Sequence, residues 1–146
     1  MTSHGTYRFN WAAPDAANPI VSHGIKVVDL AAETSSIASA HDPERTARTL
    51  ARLDTLRLTL MRMKSGEKVK QHHTDNELSI HTVSGRVAIH TPLERFELPP
   101  GHVAVLKRGL VHDIEALEES AILLTIGLSR HDEPRPPESD NPPAED

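Results

Sequence analysis

Ten histidines and no cysteine limit the metal chemistry this 146-residue chain can attempt. Without thiolates, a bound ion has to be held by imidazole and carboxylate. Two histidines stand at fixed intervals from glycines. His72 follows Gly66 after five residues, and His112 follows Gly101 after ten and Gly109 after two. Glycine supplies the turn that aims the strand after it, so both imidazoles are placed to project from strands leaving a turn. Neutral imidazoles joined by one carboxylate bind Fe, Mn, Ni or Zn and leave open positions for a substrate or oxygen. Around His72 stand further imidazole and carboxylate groups: His73, Glu77 and His81.

Other chemistries have less behind them. There is no cysteine nucleophile and no serine in a G-x-S-x-G elbow. Phosphate-loop and dinucleotide fingerprints are also absent. His4, His23, His41, His102 and His131 lack a supporting constellation, and His81 and His90 read first as surface or interface residues. Glu115, Glu118 and Glu119 bracket a turn and read as a solvated loop, as do Lys107 and Arg108. The chain carries a net charge of −5, and residues 132–146 hold six acids against Arg135 alone, also −5. The rest is neutral overall, which speaks against a nucleic-acid partner.

The elements that must position these residues are short strands. Leu56, Leu58 and Leu60 alternate with Arg57, Thr59 and Met61, the period-two pattern of a half-buried strand. Extended runs follow at 69–73, 78–83, 86–91, 95–98, 103–106, 112–116 and 121–128, separated by turn residues such as Ser84-Gly85 and Pro99-Pro100-Gly101. Spacing this close leaves no room for crossover helices, so the sheet is expected to be antiparallel and closed into a sandwich or barrel. Leu56, Leu58, Leu60, Val87, Ile89, Val103, Val105, Leu123 and Ile126 are the expected core. Upstream, 25–30 reads as a short strand, 34–36 and 38–40 as loop, Asp42-Pro43-Glu44 as a possible helix start, and 46–51 as a strand.

Two segments of this pattern resemble the paired signature of the cupin superfamily. Gly101, Gly109 and His112 fall in register with the second motif, while Lys107 stands for its proline and Ala116 for its asparagine. Gly66, His72 and Gly85 fit the first motif, with Thr74 in place of the second histidine and Leu78 in place of the glutamate. The stretches HH…ELSIHTVSG and VHDIEALEESAILLTI are similar to a group of small single-domain bacterial cupins. The resemblance covers about half the chain. It implies an all-β, antiparallel double-stranded β-helix, the cupin jelly-roll barrel, with His72, Thr74, Leu78 and His112 lining its pocket. Of the four usual metal ligands, His72 and His112 remain in place. A divalent metal (Fe, Mn, Ni or Zn) is therefore expected at weak or partial occupancy, unless His73, Glu77 or His81 turns inward as a third ligand. Each of those three has the opposite strand parity, so recruitment would need a bulge.

The expected organisation is an irregular N-terminal extension over 1–44, the barrel over 45–130 and a disordered acidic, proline-rich tail over 131–146. No apolar run approaches a membrane span and the N-terminus lacks a signal-peptide pattern, so a cytoplasmic protein is expected. Phe9, Trp11, Ile20 and Val21 have few partners in so small a barrel and are expected to cover an edge across a homodimer. The leading expectation is a small-molecule-binding or sensing cupin with a reduced metal site. The alternative is a metal-dependent dioxygenase or isomerase. A third reading is an interaction module resembling the sensory half of two-domain regulators.

Overall fold

The computed structural model describes residues 19–21, 24–39, 47–71 and 75–128. One helix, α1 (Leu30–Ser39), precedes nine strands: β1 (Ala47–Arg52), β2 (Leu56–Met63), β3 (Lys68–Gln71), β4 (Leu78–Ser84), β5 (Val87–His90), β6 (Arg95–Leu98), β7 (Val103–Leu106), β8 (His112–Ala116) and β9 (Ser120–Gly127). They form a five-stranded sheet, β1-β2-β9-β4-β7, and a four-stranded sheet, β3-β8-β5-β6. Every strand pair is antiparallel. The sequence expectation of an antiparallel double-stranded β-helix holds.

Register shows which side chains meet between the sheets. On the inner face of the larger sheet, one row reads Arg57, Ile126, Leu78, Leu106 and the next Thr59, Leu124, Ile80, Ala104. A third row joins Met61, Ile122 and Thr82. From the smaller sheet, Ile114 lies between Val69 and Ile89. Leu78, Ile80, Ile89, Ile114, Ile122 and Leu124 are at most 2% exposed and belong to one aliphatic core. Each such side chain contributes about 1.5–3 kcal/mol by leaving water, which explains how a chain with so few aromatics holds its barrel.

A second core lies on the outer face of the larger sheet, and here the structure corrects the sequence reading. Residues 34–36 and 38–39 are helical, not loop, and 25–29 form no strand. Asp29 caps the helix, its Oδ1 accepting from the Ala32 amide at 3.1 Å. Glu33 lies in the first turn, where the helix dipole favours an acid. Ile37, 5% exposed, packs with Leu50 and Leu60, and Leu30, Leu58 and Leu123 border the same cluster. Arg48 ties the helix to β1 by reaching Glu33 at 2.8 Å and Ser36 at 3.2 Å. Leu58 and Leu60 therefore pack beneath the helix, and Arg57, Thr59 and Met61 take the barrel side. Val103 and Val105, expected in the core, are 54% and 79% exposed on the edge strand β7. The helix start read at Asp42, the tail over 131–146, and Phe9 and Trp11 lie outside the described residues.

Candidate functional site

One end of the barrel holds His112 and Leu78, two of the positions singled out in the sequence. Strand β3 ends at Gln71, whose Cα pairs with that of His112. Strand β4 begins at Leu78, in register with Leu106 at the end of β7. The β7–β8 connection then returns to His112 through Gly109, whose φ of 80° is a left-handed conformation open chiefly to glycine. His112, Leu78 and Leu106 thus share the mouth where β3 and β7 end and β4 and β8 begin.

His112 is 1% exposed. Its Nδ1 lies 2.9 Å from the Leu110 carbonyl oxygen. A carbonyl only accepts, so Nδ1 carries the hydrogen and donates it. That fixes the tautomer and leaves a lone pair on Nε2, which is buried and has no hydrogen-bond partner. A buried acceptor without a donor is costly, by about 1–3 kcal/mol. The Thr82 hydroxyl, further along the inner face, is likewise buried and unpartnered. Between edge strands β6 and β7 a cavity of about 440 Å³ opens beside this end, walled by Ile89, Phe96, Leu98, Ala104, Leu106 and Leu110. Leu110 links the two features, bordering the cavity while its carbonyl holds the His112 ring.

The remaining candidates divide cleanly. Leu78 is 2% exposed on the inner face. It puts hydrocarbon at the position where the first motif carries a carboxylate. Glu77 is exposed. His81 pairs with Leu123 and Val103, on the outer face of the sheet. A bulge does interrupt β4, but between Thr82 and Ser84, beyond both residues, so it turns neither inward. His72, His73 and Thr74 lie outside the described residues. Among the described residues no group of three histidine, cysteine or acidic side chains is placed to hold a metal ion. Of the motif positions among the described residues, His112 supplies one ligand and Leu78 none of the three or four that such a centre needs.

Sequence reading overlooked Arg57. It occupies the inner-face row that runs through Ile126 and Leu78 to Leu106. Its Nε is buried and has no hydrogen-bond partner. The signal was available in the alternation of 56–61, but period two alone does not say which face looks into the barrel.

The fold with this mouth defines a double-stranded β-helix of the cupin type. No family model and no curated protein matches the chain. Solved structures do. A conserved Streptococcus pyogenes protein of unknown function is 23% identical with a TM-score of 0.59, the match covering 75% of this chain and 91% of that one. A cupin-2 domain protein from Shewanella frigidimarina is 19% identical with a TM-score of 0.57, over 68% of this chain and 92% of the other. A cupin superfamily protein from Desulfitobacterium hafniense is 17% identical with a TM-score of 0.61, over 77% and 98%. The chain has the fold of these bacterial cupins. No helix among the described residues is long and apolar enough to cross a membrane.

Proposed function

We propose that this chain is a small-molecule-binding or sensing cupin whose ligand enters the barrel mouth and is read by His112. The observation that carries this reading is the orphaned Nε2 of an imidazole that is 1% exposed and fixed by its other nitrogen. A ligand hydroxyl, amide or acid would supply the missing donor and remove the cost of leaving it unmade. The cavity beside Leu110, mostly hydrocarbon with Thr91, Glu97 and His102 on its wall, gives the body of such a ligand somewhere to rest.

Nε2 is also the atom a metal would take, and the alternative is a metal-dependent dioxygenase or isomerase using His72, His112 and a recruited third ligand. Leu78 in the carboxylate position favours the binding reading, under which a divalent ion is held weakly or at partial occupancy. Elemental analysis of untagged protein separates the two. Metal well below one ion per chain is expected. About one ion per chain, lost in His112→Ala, would promote the enzyme. A thermal-shift screen of small metabolites completes the test. At least one should raise the melting temperature of the wild type and leave His112→Leu unmoved, and a screen without any such compound would sink the proposal. The proposed assembly is a homodimer in the cytoplasm, and light scattering at tens of micromolar checks its mass.

A further inference from the structure

We infer that the ligand of this mouth is a small organic carboxylate with an apolar body, and that Arg57 is the residue that binds its charge. The inference rests on the reading of the mouth as a ligand site and adds the ligand's chemical class. Three observations converge. First, Arg57 stands on the inner face in the row Arg57, Ile126, Leu78, Leu106, at the end of the barrel where His112 begins β8. Second, its Nε is buried without a hydrogen-bond partner, and no acidic side chain among the described residues pairs with it. Third, Arg57 lies directly opposite Arg52 in the β1–β2 pair. Directly opposed residues share a face, and like charges so placed destabilise a sheet. Asp54 on the β1–β2 turn lines one pocket with Arg52, so the group left without an acid is Arg57, whose buried donor an anion would meet.

The surroundings narrow the class of that anion. Between Arg57 and the β7 edge the row is hydrocarbon, with Ile126, Leu78 and Leu106, and the last two are at most 4% exposed. An alkyl chain laid along this hydrocarbon takes its own apolar surface out of water, whereas a hydrated inorganic ion has none to bury. Guanidinium meets carboxylate through two parallel hydrogen bonds. The His112 ring accepts at Nε2 from a ligand hydroxyl. Lys107 and Arg108 on the connection before His112 are exposed and add positive potential at the entrance. The acids Asp75 and Glu77 on the β3–β4 connection are exposed.

The test uses the full chain labelled with ¹⁵N, titrated with hexanoate and with the uncharged 1-hexanol, and reads the Arg57 Nε–H and His112 ring signals by NMR. Hexanoate should shift both signals saturably and bind at least about tenfold more tightly than hexanol, the scale of one charge-assisted hydrogen bond. Arg57→Leu should lose that preference and bind the two equally. Arg57→Lys, which keeps the charge but not the fork, should retain part of it. Equal binding of both compounds to the wild type would overturn the carboxylate inference while leaving a ligand site at His112. If no straight-chain carboxylate from two to eight carbons moves either signal, the carboxylate inference falls, while the reading of His112 as a ligand site stands or falls with the thermal-shift screen.

Discussion

Replacing Arg57 with leucine should make the unliganded protein more stable, against the usual direction for a half-buried residue. In the wild type the Nε of Arg57 is buried and bonded to nothing. Leaving such a donor unmade costs about 1–3 kcal/mol. The opposed Arg52 adds a like-charge penalty of about 0.2–1 kcal/mol. Leucine removes both and keeps a hydrocarbon stem against Ile126, the cross-strand neighbour in β9. The expected gain is about 1–3 kcal/mol, and each kcal/mol raises the melting temperature of a domain of roughly 100 residues by about 4–8 °C.

Urea titration with calorimetry in low-salt buffer free of organic acids measures this. Two controls sharpen it. Added salt should stabilise the wild type more than Arg57→Leu, because screening relieves the Arg52–Arg57 repulsion only where it exists. Hexanoate at about 100 times its dissociation constant should return about 2.7 kcal/mol to the wild type and, at binding about tenfold weaker, no more than about 1.4 kcal/mol to the variant. A loss of 1 kcal/mol or more in Arg57→Leu would refute the reasoning, since it would mean that Arg57 already has the partner that the structure denies it.

Three further outcomes test the architecture. Gly85→Ala should unfold or severely destabilise the protein, because a Cβ there overlaps the Glu119 carbonyl and the Ser120 hydroxyl at a φ of 79°; near-wild-type denaturation would show that the β4–β5 turn is wrongly placed. Ile37→Ala should cost about 2–4 kcal/mol by opening a void above Leu50 and Leu60, and a change under about 0.5 kcal/mol in urea would mean that α1 does not dock. Glu97 is held below the ordinary carboxylate range by its hydrogen bond from Arg95, helped by the charges of Arg95 and Arg86. A depressed folded pKa stabilises above the unfolded value and is lost as pH falls through the folded one, so a carboxyl NMR titration should show Glu97 protonating later than free glutamate. In Arg95→Gln that midpoint should move upward, and an unmoved midpoint would contradict the assignment.

Strand positions were legible because alternation and glycine turns are local. Strands β6, β7 and β8 fall on the expected 95–98, 103–106 and 112–116. What was not legible is which face each alternation serves. Leu58 and Leu60 looked like barrel core, yet they lie under α1, a helix whose short polar residues Thr34, Ser35 and Ser36 disguise it as loop. Thr34 answers for part of this by donating its hydroxyl to the Leu30 carbonyl at 2.7 Å, satisfying itself within the helix. The helix covers the outer face of the larger sheet, and this frees Arg57 and Thr59 for the inner one. Val103 failed for the converse reason. On the edge strand β7 its side chain faces outward with no helix above it, beside His81. His112 was legible from its spacing to Gly109, since both the turn and the buried ring follow from it. Arg57 was not, because a lone arginine in an alternating strand reads as the wet face.

A double substitution tests whether Arg57 and the displaced-ligand position share one interior end. In the wild type, Leu78 and Arg57 both neighbour Ile126, one on each side across β9. Two strand spacings separate their backbones by about 10 Å, a gap that a glutamate and an arginine side chain together span. Leu78→Glu alone should therefore form an internal ion pair with Arg57, costing less than an unpaired buried carboxylate and suppressing hexanoate binding by occupying its partner. In the Arg57→Leu background the same glutamate has no cation opposite, so it should destabilise much more, by about 3 kcal/mol or more. The expected coupling between the two sites is at least about 1 kcal/mol. If the two stability changes simply add, residue 78 and Arg57 do not face one site, and the mouth loses its claim to an anionic ligand. If coupling is present, residue 78 and Arg57 face one interior end, and the arginine is free to answer a carboxylate brought to it.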